Sequence, residues 1–261
     1  MIATPVVHKP VLLDEAIDHL VTDAAGTYID GTFGGGGHTR RLLDRWPQAS
    51  VVAFDRDPAA IARAADLAKE YGSDRFRIVH APFAEMASHV DGQVAGILLD
   101  LGFSSFQIDD PERGFAFRED GPLDMRFDPA QGQSAAEFLN TADEREIADV
   151  IWRYGDERRS RHIARAVVAE RPISSTAQLA AIVARVVGHH SGKGHPATRT
   201  FQAIRIHING ELDQLAQTLS SSLDLLIDGG RLVVISFHSL EDRMVKQFIR
   251  DASVTCVCPP D

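Results

Sequence analysis

The sequence contains a run of four glycines, Gly34 to Gly37, shortly after the β-branched and apolar segment 27–30. Glycine adopts positive φ angles at little steric cost, so such a run lets the backbone turn sharply and come close to a ligand. The segment after the run has a helical pattern, and a helix N-terminus aimed at such a turn favours nucleotide-like groups. The run departs from the G-x-G-x-x-G spacing of dinucleotide cradles. The run therefore predicts an α/β nucleotide-binding fold, but it does not identify which ligand is bound.

Apolar segments alternate with helical patterns through the first hundred residues. The predicted strands and helices are, in chain order, strand 27–30, helix 38–46, strand 50–54, helix 57–71, strand 76–80 and strand 95–100. The last of these strands carries the run Gly96-Ile97-Leu98-Leu99. Nearly continuous apolar strands of this kind are typical of parallel sheets that are covered by helices on both faces.

The alternation stops near Gln107. A segment rich in Asp, Pro, Gly and Phe, 107–132, predicts a long structured loop. Helices are then predicted from a Thr141-Ala142-Asp143-Glu144 capping box to Gly155, over 156–170, and from Ser175 to about Gly188. A helix over 210–227 and a buried strand over 231–237 return to the α/β pattern. We expect a discontinuous core, 1–106 with 200–261, and an inserted, mainly helical domain, 107–199.

The charge of −10 is unevenly distributed along the chain. Between Arg145 and Arg205 there are 11 basic and 5 acidic residues, a net charge of +6, whereas the remainder carries 16 basic and 32 acidic residues, a net charge of −16. The basic segment is a candidate RNA-binding surface. A set of solvated helix faces enriched in Arg by chance is the alternative.

Targeting and redox signals are few. The only cysteines, Cys256 and Cys258, lack the spacing of a disulfide framework or a zinc knuckle, and we expect free thiols. No signal peptide or membrane-spanning run is recognisable, which predicts a cytoplasmic protein. A histidine group, His189, His190 and His195, lies in a Gly-rich loop without carboxylate partners, so no metal site is predicted.

Acidic and aromatic residues follow the ends of the predicted strands. Asp55 ends the second strand, 21 residues after Gly34, where a carboxylate can accept hydrogen bonds from ribose hydroxyls. Phe83, after the third strand, is a candidate for stacking on an adenine. Asp100 ends the fourth strand, in the crevice where such sheets bind ligands. His238, past the last strand, suits either a substrate contact or a helix cap.

Seven sequence blocks resemble the RsmH (MraW) family. They are HKPVLLDE from His8, YIDGTFG from Tyr28, DRDP from Asp55, DLG from Asp100, DGPLDMR from Asp120, HPATRTFQA from His195 and SFHSLEDR from Ser236. The blocks run in family order over essentially the whole chain. The resemblance implies a class I, Rossmann-like methyltransferase that uses S-adenosylmethionine and carries an inserted helical domain. It also implies that the product is N4-methylcytidine in the decoding region of 16S rRNA.

Family positions carried over by motif imply a cofactor site. Its contacts would be Gly36, Gly37, His38, Asp55, Phe83, Asp100 and Gln107. Asp100 is also the candidate catalytic residue, as acceptor of an amino proton. Asp100-Leu101-Gly102-Phe103 lacks both prolines of the D-P-P-F type of motif common in amino-group methyltransferases, so a base-stacking role does not transfer directly to Phe103. Family chains usually continue well past the stretch matching Arg250 with a last edge strand, which we expect to be missing or incomplete here.

The expected partner is 16S rRNA within the small ribosomal subunit. The candidate RNA contacts are Arg153, Arg158, Arg159, Arg161, Arg165, Arg199 and Arg205. Three alternatives stay open. The chain could methylate DNA cytosine or a small molecule, could be an NAD(P)-dependent dehydrogenase, or could be a ribosome-assembly factor that binds without catalysis.

Overall fold

The computed structural model describes residues 10–188 and 194–253. The chain divides into two compact units. The first unit consists of Met1–Gly102 with Leu212–Asp261, and the second of Phe103–Glu211.

Within the described residues there are five strands and twelve helices. The strands are β1 (Thr27–Asp30), β2 (Ser50–Asp55), β3 (Phe76–His80), β4 (Val94–Asp100) and β5 (Leu226–Ile235). The helices are α1 (Leu13–Leu20), α2 (Gly37–Arg45), α3 (Pro58–Tyr71), α4 (Met86–His89), α5 (Ser105–Ile108), α6 (Ala135–Thr141), α7 (Glu144–Gly155), α8 (Ser160–Ala169), α9 (Thr176–Val187), α10 (Thr198–Asn209), α11 (Glu211–Leu225) and α12 (Ser239–Ala252).

The strands of the first unit form one parallel sheet in the order β3-β2-β1-β4-β5. Consecutive strand residues point to opposite faces. Accordingly, Tyr28 belongs to a core shared with α1, α2 and α3, while Ile29 belongs to a second core shared with α4, α11 and α12. The sheet is therefore covered on both faces, and its polar strand ends come together at one edge.

The second unit is helical and has its own core. In this unit α7 packs against α8 and α10, and α8 packs against α9. Fully buried side chains such as Phe138, Ile151, Ile163, Val183 and Ile204 form its interior. The unit extends beyond the predicted insertion, 107–199, at both ends. At the C-terminal end the extension arises because α10 packs against α7 and α6.

The predicted capping box at Thr141 is wrong. Thr141 is the last residue of α6, and its hydroxyl donates to the Glu137 carbonyl. A capping box instead opens α6, where Ser134 and Glu137 each accept the other's backbone N–H. The helix predicted from Asp156 begins at Ser160, because Asp156 has a positive φ of 47° and ends α7.

The boundary between the last predicted helix and the last predicted strand of the core lies nearer the N-terminus than expected. The helix predicted to end at Ile227 ends at Leu225, and β5 begins at Leu226. Val94 pairs with Leu226 while Gly96 pairs with Arg231, so β5 contains extra residues at this point. Gly229 has a φ of 80° and lies in that irregular segment.

Some sequence-based predictions concern residues that the structure does not describe. Cys256, Cys258, His189 and His190 lie outside the described residues. In the part of the chain that the structure describes, no group of three or more His, Cys, Asp or Glu side chains is arranged to hold a metal ion. In the same residues, none of the helices is long and apolar enough to cross a membrane.

Candidate active site

The loop after β1 is bonded to both neighbouring strands. The Gly31 N–H donates to the Leu98 carbonyl of β4 at 2.9 Å, and the Phe33 N–H donates to the Phe54 carbonyl of β2 at 3.0 Å. Gly36 has a φ of 74°, and a Cβ atom there would lie 2.6 Å from the Phe33 ring. A side chain at this position would therefore clash as well as strain the backbone.

Asp30, at the end of β1, holds the start of α2. Its carboxylate accepts the Thr39 hydroxyl at 2.6 Å and the Thr32 N–H at 3.1 Å. Burial raises the pKa of Asp30 above its usual range, although the hydrogen bond from Thr39 opposes that shift. Asp30 therefore stabilises the glycine loop by joining its first residues to α2.

Asp55, at the end of β2, contacts the glycine loop directly. Its Oδ2 accepts the Gly34 N–H at 2.7 Å and its Oδ1 accepts the Asp57 N–H at 2.8 Å. Burial raises its pKa to about 6, against the lowering effect of these two hydrogen bonds. Since a carboxylate oxygen has two lone pairs, each oxygen retains acceptor capacity for a ligand hydroxyl.

Asp100, at the end of β4, carries a buried oxygen with no hydrogen-bond partner among the described residues, Oδ1. Its Oδ2 lies 3.8 Å from His38 Nδ1, too far for a hydrogen bond. Burial, together with the negative charges of Asp30 and Glu241, raises the pKa of Asp100 to about 7. The backbone N–H of Asp100 donates to the Thr32 hydroxyl at 2.6 Å, which connects β4 to the glycine loop.

His38 and Phe83 complete this edge of the sheet. His38, the second residue of α2, is buried, and its Nε2 also has no partner within the described chain. Phe83 follows β3 and lies over the loop, since a Cβ at Gly31 would be 3.1 Å from Phe83 Cβ. The structure thus brings six of the seven predicted cofactor contacts to one sheet edge: Gly36, Gly37, His38, Asp55, Phe83 and Asp100.

Gln107, the seventh predicted contact, belongs to the second unit. It is buried in α5 and caps that helix: its Oε1 accepts the Ser104 N–H at 2.9 Å, and its own N–H donates to Ser104 Oγ at 3.3 Å. The side chain therefore already has a structural role, and its cofactor contact stays a prediction.

A further buried acid follows β5. His238 is the N-cap of α12, and Glu241 at the third position of that helix reaches back to it. Glu241 Oε2 accepts the N–H groups of Phe237 at 2.9 Å and His238 at 3.2 Å, and Oε1 lies 3.0 Å from His238 Nε2. Burial would raise the pKa of Glu241, but these hydrogen bonds outweigh it and the pKa is lowered. The His-x-x-Glu spacing was the available signal for this pair.

The seven predicted RNA contacts have different environments. Arg153, Arg158 and Arg161 are exposed. Arg159 donates to the Val186 carbonyl, Arg199 donates to the Asp156 carbonyl, and Arg165 lies 3.6 Å from Glu144. Arg205 is buried, pairs with both oxygens of Glu211 at 2.8 and 2.9 Å, and lies 4.8 Å from the centre of the Phe103 ring.

A sequence model of the MraW methylase family matches residues 5–261. The chain belongs to the MraW methylase family. The match confirms the resemblance and the class I α/β fold, and it identifies a methyltransferase that uses S-adenosylmethionine. The dehydrogenase alternative is excluded.

Relatives in this family are similar over nearly the whole chain. Each of the following three is named ribosomal RNA small subunit methyltransferase H. The protein from Idiomarina loihiensis is 53% identical over 269 residues, covering 100% of this chain and 84% of the relative. That from Chromohalobacter salexigens is 54% identical, covering 94% and 75%. That from Thermomicrobium roseum is 52% identical, covering 97% and 80%.

Proposed function

We propose that this protein transfers a methyl group from S-adenosylmethionine to the exocyclic N4 of a cytidine in the decoding region of 16S rRNA. The names of the relatives support small-subunit rRNA as the substrate. The observation that carries the choice of an amino group is Asp100. Its buried Oδ1 has no donor among the described residues and lies at the edge of the sheet where the glycine loop is placed.

The residues at the sheet edge fit the cofactor. The glycine loop could admit close approach of the ligand, and a Cβ at Gly36 would have no room. Asp55 has acceptor capacity for two ribose hydroxyls, and Phe83, whose Cβ lies beside Gly31, is the aromatic candidate for stacking. When bound, the cofactor supplies a methyl group on a positively charged sulfonium. The acidic edge formed by Asp30, Asp55 and Asp100 would favour that charge.

Asp100 has the properties that an amino-group acceptor needs. The lone pair of a cytosine amino group is delocalised into the ring, so the group must be held with one N–H committed to an acceptor. Asp100 Oδ1 would accept that N–H. As the bond from N4 to the methyl carbon forms and the carbon–sulfur bond breaks, positive charge develops on N4 and one proton must leave. A carboxyl group with a pKa of about 7 is ionised in substantial part near neutral pH and can take that proton.

The second unit would supply the RNA surface. Arg153, Arg158 and Arg161 are exposed on or beside α7 and α8, where they are accessible to phosphates. The target base must be unstacked to reach the cofactor, and single-stranded rRNA offers this at low cost. The proposal includes the small ribosomal subunit as the partner, because the decoding region belongs to that subunit. It also includes a cytoplasmic location, where such a substrate is found.

Methyl transfer from labelled cofactor to small subunits from cells lacking this enzyme tests the proposal. Digestion to nucleosides should give labelled N4-methylcytidine, and the label should map to 16S rRNA. A parallel reaction with protein-free 16S rRNA separates the two forms of the substrate, and a DNA duplex tests the DNA alternative. A labelled nucleoside other than N4-methylcytidine would overturn the amino-group assignment, and label in DNA alone would overturn rRNA as the substrate.

A further inference from the structure

Phe237 is an exposed aromatic residue at the edge of the sheet that carries Asp100. It lies between β5 and α12, and 56% of its surface is accessible to solvent. Its neighbours in β5 and α12 pack into the core of the first unit, as Val234 and Met244 do. The ring therefore contributes little to folding, and its position needs another explanation.

The pairing of β4 with β5 places Phe237 beside the catalytic strand end. Asp100 is in register with Ile235, and the Leu101 N–H donates to the Ile235 carbonyl at 3.0 Å. Phe237 follows Ile235 by two residues, as Gly102 follows Asp100. A Cβ atom at Gly102 would lie 3.7 Å from Phe237 Cδ2, so the ring lies against the backbone just past Asp100.

The backbone of Phe237 is fixed even though its ring is exposed. The Phe237 N–H donates to Glu241 Oε2 at 2.9 Å, and the same oxygen accepts the His238 N–H at 3.2 Å. Glu241 is 3% exposed, so this carboxylate is buried under the turn that carries the ring. A buried charge committed to two backbone bonds holds the turn in one conformation, which a surface residue without a ligand would not require.

We propose that Phe237 is the stacking platform for the base that accepts the methyl group. This inference rests on the proposed function, because it takes the accepting base to be a pyrimidine held at Asp100. A flat base outside its helix is held most simply by an aromatic ring on one face. Such a platform fixes the plane of the base, while Asp100 fixes the direction of its amino group. Together the two contacts would define where N4 lies.

Ile249 provides a matched control for exposure. It is on α12 and is 54% exposed, but it lies ten residues beyond the first residue of the helix, about 15 Å along its axis. If losing any exposed apolar side chain lowered activity, substitutions at both positions would lower it. Loss of a base platform would affect Phe237 alone.

Steady-state methylation of small subunits tests the platform. Phe237→Leu should lower kcat/KM by about tenfold or more, Phe237→Tyr should restore most of it, and Ile249→Ala should leave it within twofold of wild type. Cofactor affinity should be unchanged in all three variants. An equal fall of cofactor affinity and turnover in Phe237→Leu would make the ring a cofactor contact and overturn the proposal. Turnover within twofold of wild type in that variant would also overturn it.

A fluorescence titration reads stacking without requiring turnover. Phe237→Trp places an indole on the platform, and Ile249→Trp places one at the control position. Short oligocytidylate should quench the added emission of the first variant and not of the second. Failure of both oligocytidylate and oligoadenylate to quench the first variant more than the second would overturn the platform. Quenching by oligoadenylate alone, with a purine product in the methylation assay, would keep the platform and overturn the proposed cytidine target.

Discussion

The two units use charged residues in different ways. In the first unit, Asp30, Asp55, Asp100 and Glu241 are gathered at one sheet edge, and burial or mutual repulsion raises the pKa of three of them. In the second unit, arginines are spread over the helices, and several are engaged with backbone carbonyls or with Glu211. Concentrated, partly buried charge is typical of a chemical site, whereas dispersed and exposed charge suits a long polyanion.

The positive charge of the second unit is confined to part of its sequence. The segment from Arg145 to Arg205 has a net charge of +6, yet the second unit as a whole has 14 basic and 16 acidic residues. Its positive charge is therefore local to α7, α8 and the helices after them. Arg205, which contributes to the count, is buried against Glu211 and stabilises the unit from within. Exposure, rather than residue type, selects the arginines available to RNA.

The largest expected effect concerns Asp55 in the first unit. Asp55→Ala removes the proposed acceptor for two ribose hydroxyls and releases the Gly34 N–H, and charge-assisted hydrogen bonds contribute about 1.5–3 kcal/mol each. We expect the Kd for S-adenosylmethionine to rise about 100-fold or more, measured by calorimetry. Asp66→Ala, an exposed carboxylate of α3, is the control and should bind normally. A change below threefold for Asp55→Ala would show that the ribose lies elsewhere.

Asp100→Asn should separate chemistry from cofactor binding. The amide keeps the shape of the side chain but cannot take a proton, so kcat should fall about 100-fold or more while the Kd for cofactor changes less than fivefold. Asp91→Asn, an exposed carboxylate in the segment before β4, should have wild-type kcat. Equal losses of binding and turnover in Asp100→Asn would make Asp100 a cofactor ligand only.

The pH profile gives an independent check on Asp100. The carboxylate must be ionised to accept the proton, and its pKa is raised to about 7 in the free enzyme. We therefore expect kcat/KM to fall as pH decreases through about 7, and to level off above it, with the inflection absent in Asp100→Asn. A wild-type profile that is flat between about pH 6 and 8 would rule out this carboxyl as the group that titrates.

The sequence predicts the first unit better than the second, for a physical reason. β1 has its predicted bounds, because a strand buried on both faces has a continuous apolar pattern between turn residues. The edge strand β3, which is partly exposed, also has its predicted bounds. Helix ends depend on local competition between caps. Thr141 and Ser134 are both plausible N-caps, and packing of Phe138 and Leu139 into the second core selects Ser134. The C-terminal bound of the inserted domain, predicted at 199, differs from the observed one at Glu211, because the pairing of α10 with α7 joins distant segments.

The candidate site divides in the same way. The position of Asp55 and Asp100 at one sheet edge could be predicted, because strand ends in a parallel sheet meet at one edge whatever the details of packing. The contact of Phe237 with Gly102 and the burial of Glu241 depend on how β5 pairs with β4, including the irregularity near Gly229. Local sequence patterns do not encode that register.

Asn209 tests whether the second unit is held together independently of the cofactor site. Its side chain donates to the Met125 and Arg205 carbonyls and accepts the Phe127 N–H, joining segments more than 80 residues apart. Asn209→Ala would leave the partly buried Phe127 N–H without this acceptor, and we expect a loss of about 2–4 kcal/mol in unfolding free energy from urea melts. Gln133→Ala, an exposed residue of the same unit, should cost less than about 0.5 kcal/mol.

Cofactor affinity distinguishes two outcomes for Asn209→Ala. Under conditions where the variant is folded, the Kd for S-adenosylmethionine should stay within twofold of wild type, because Asp55 and the glycine loop belong to the first unit. A larger change would contradict this expectation and would mean that the second unit influences the cofactor site.

The smallest expected effect is on RNA binding, and it concerns two exposed arginines of the second unit. Arg158 and Arg161 make no hydrogen bond or ion pair with other described residues, whereas Arg159 between them holds the Val186 carbonyl. Reversing Arg158 and Arg161 to Glu, with Arg159 kept, thus changes the surface charge by four units and leaves that contact intact. Helix propensity is similar for Arg and Glu, so α8 should persist.

The double variant should weaken RNA binding without affecting cofactor binding. We expect the slope of log K for 16S rRNA against log salt concentration to decrease by about one unit per lost phosphate contact, and kcat/KM for subunits to fall several-fold at low salt. Lys69→Glu with Arg250→Glu applies the same charge change to exposed positions of the first unit and should change the slope little. If both double variants reduce the slope equally, RNA responds to net charge alone, and the second unit is no more an RNA surface than the first.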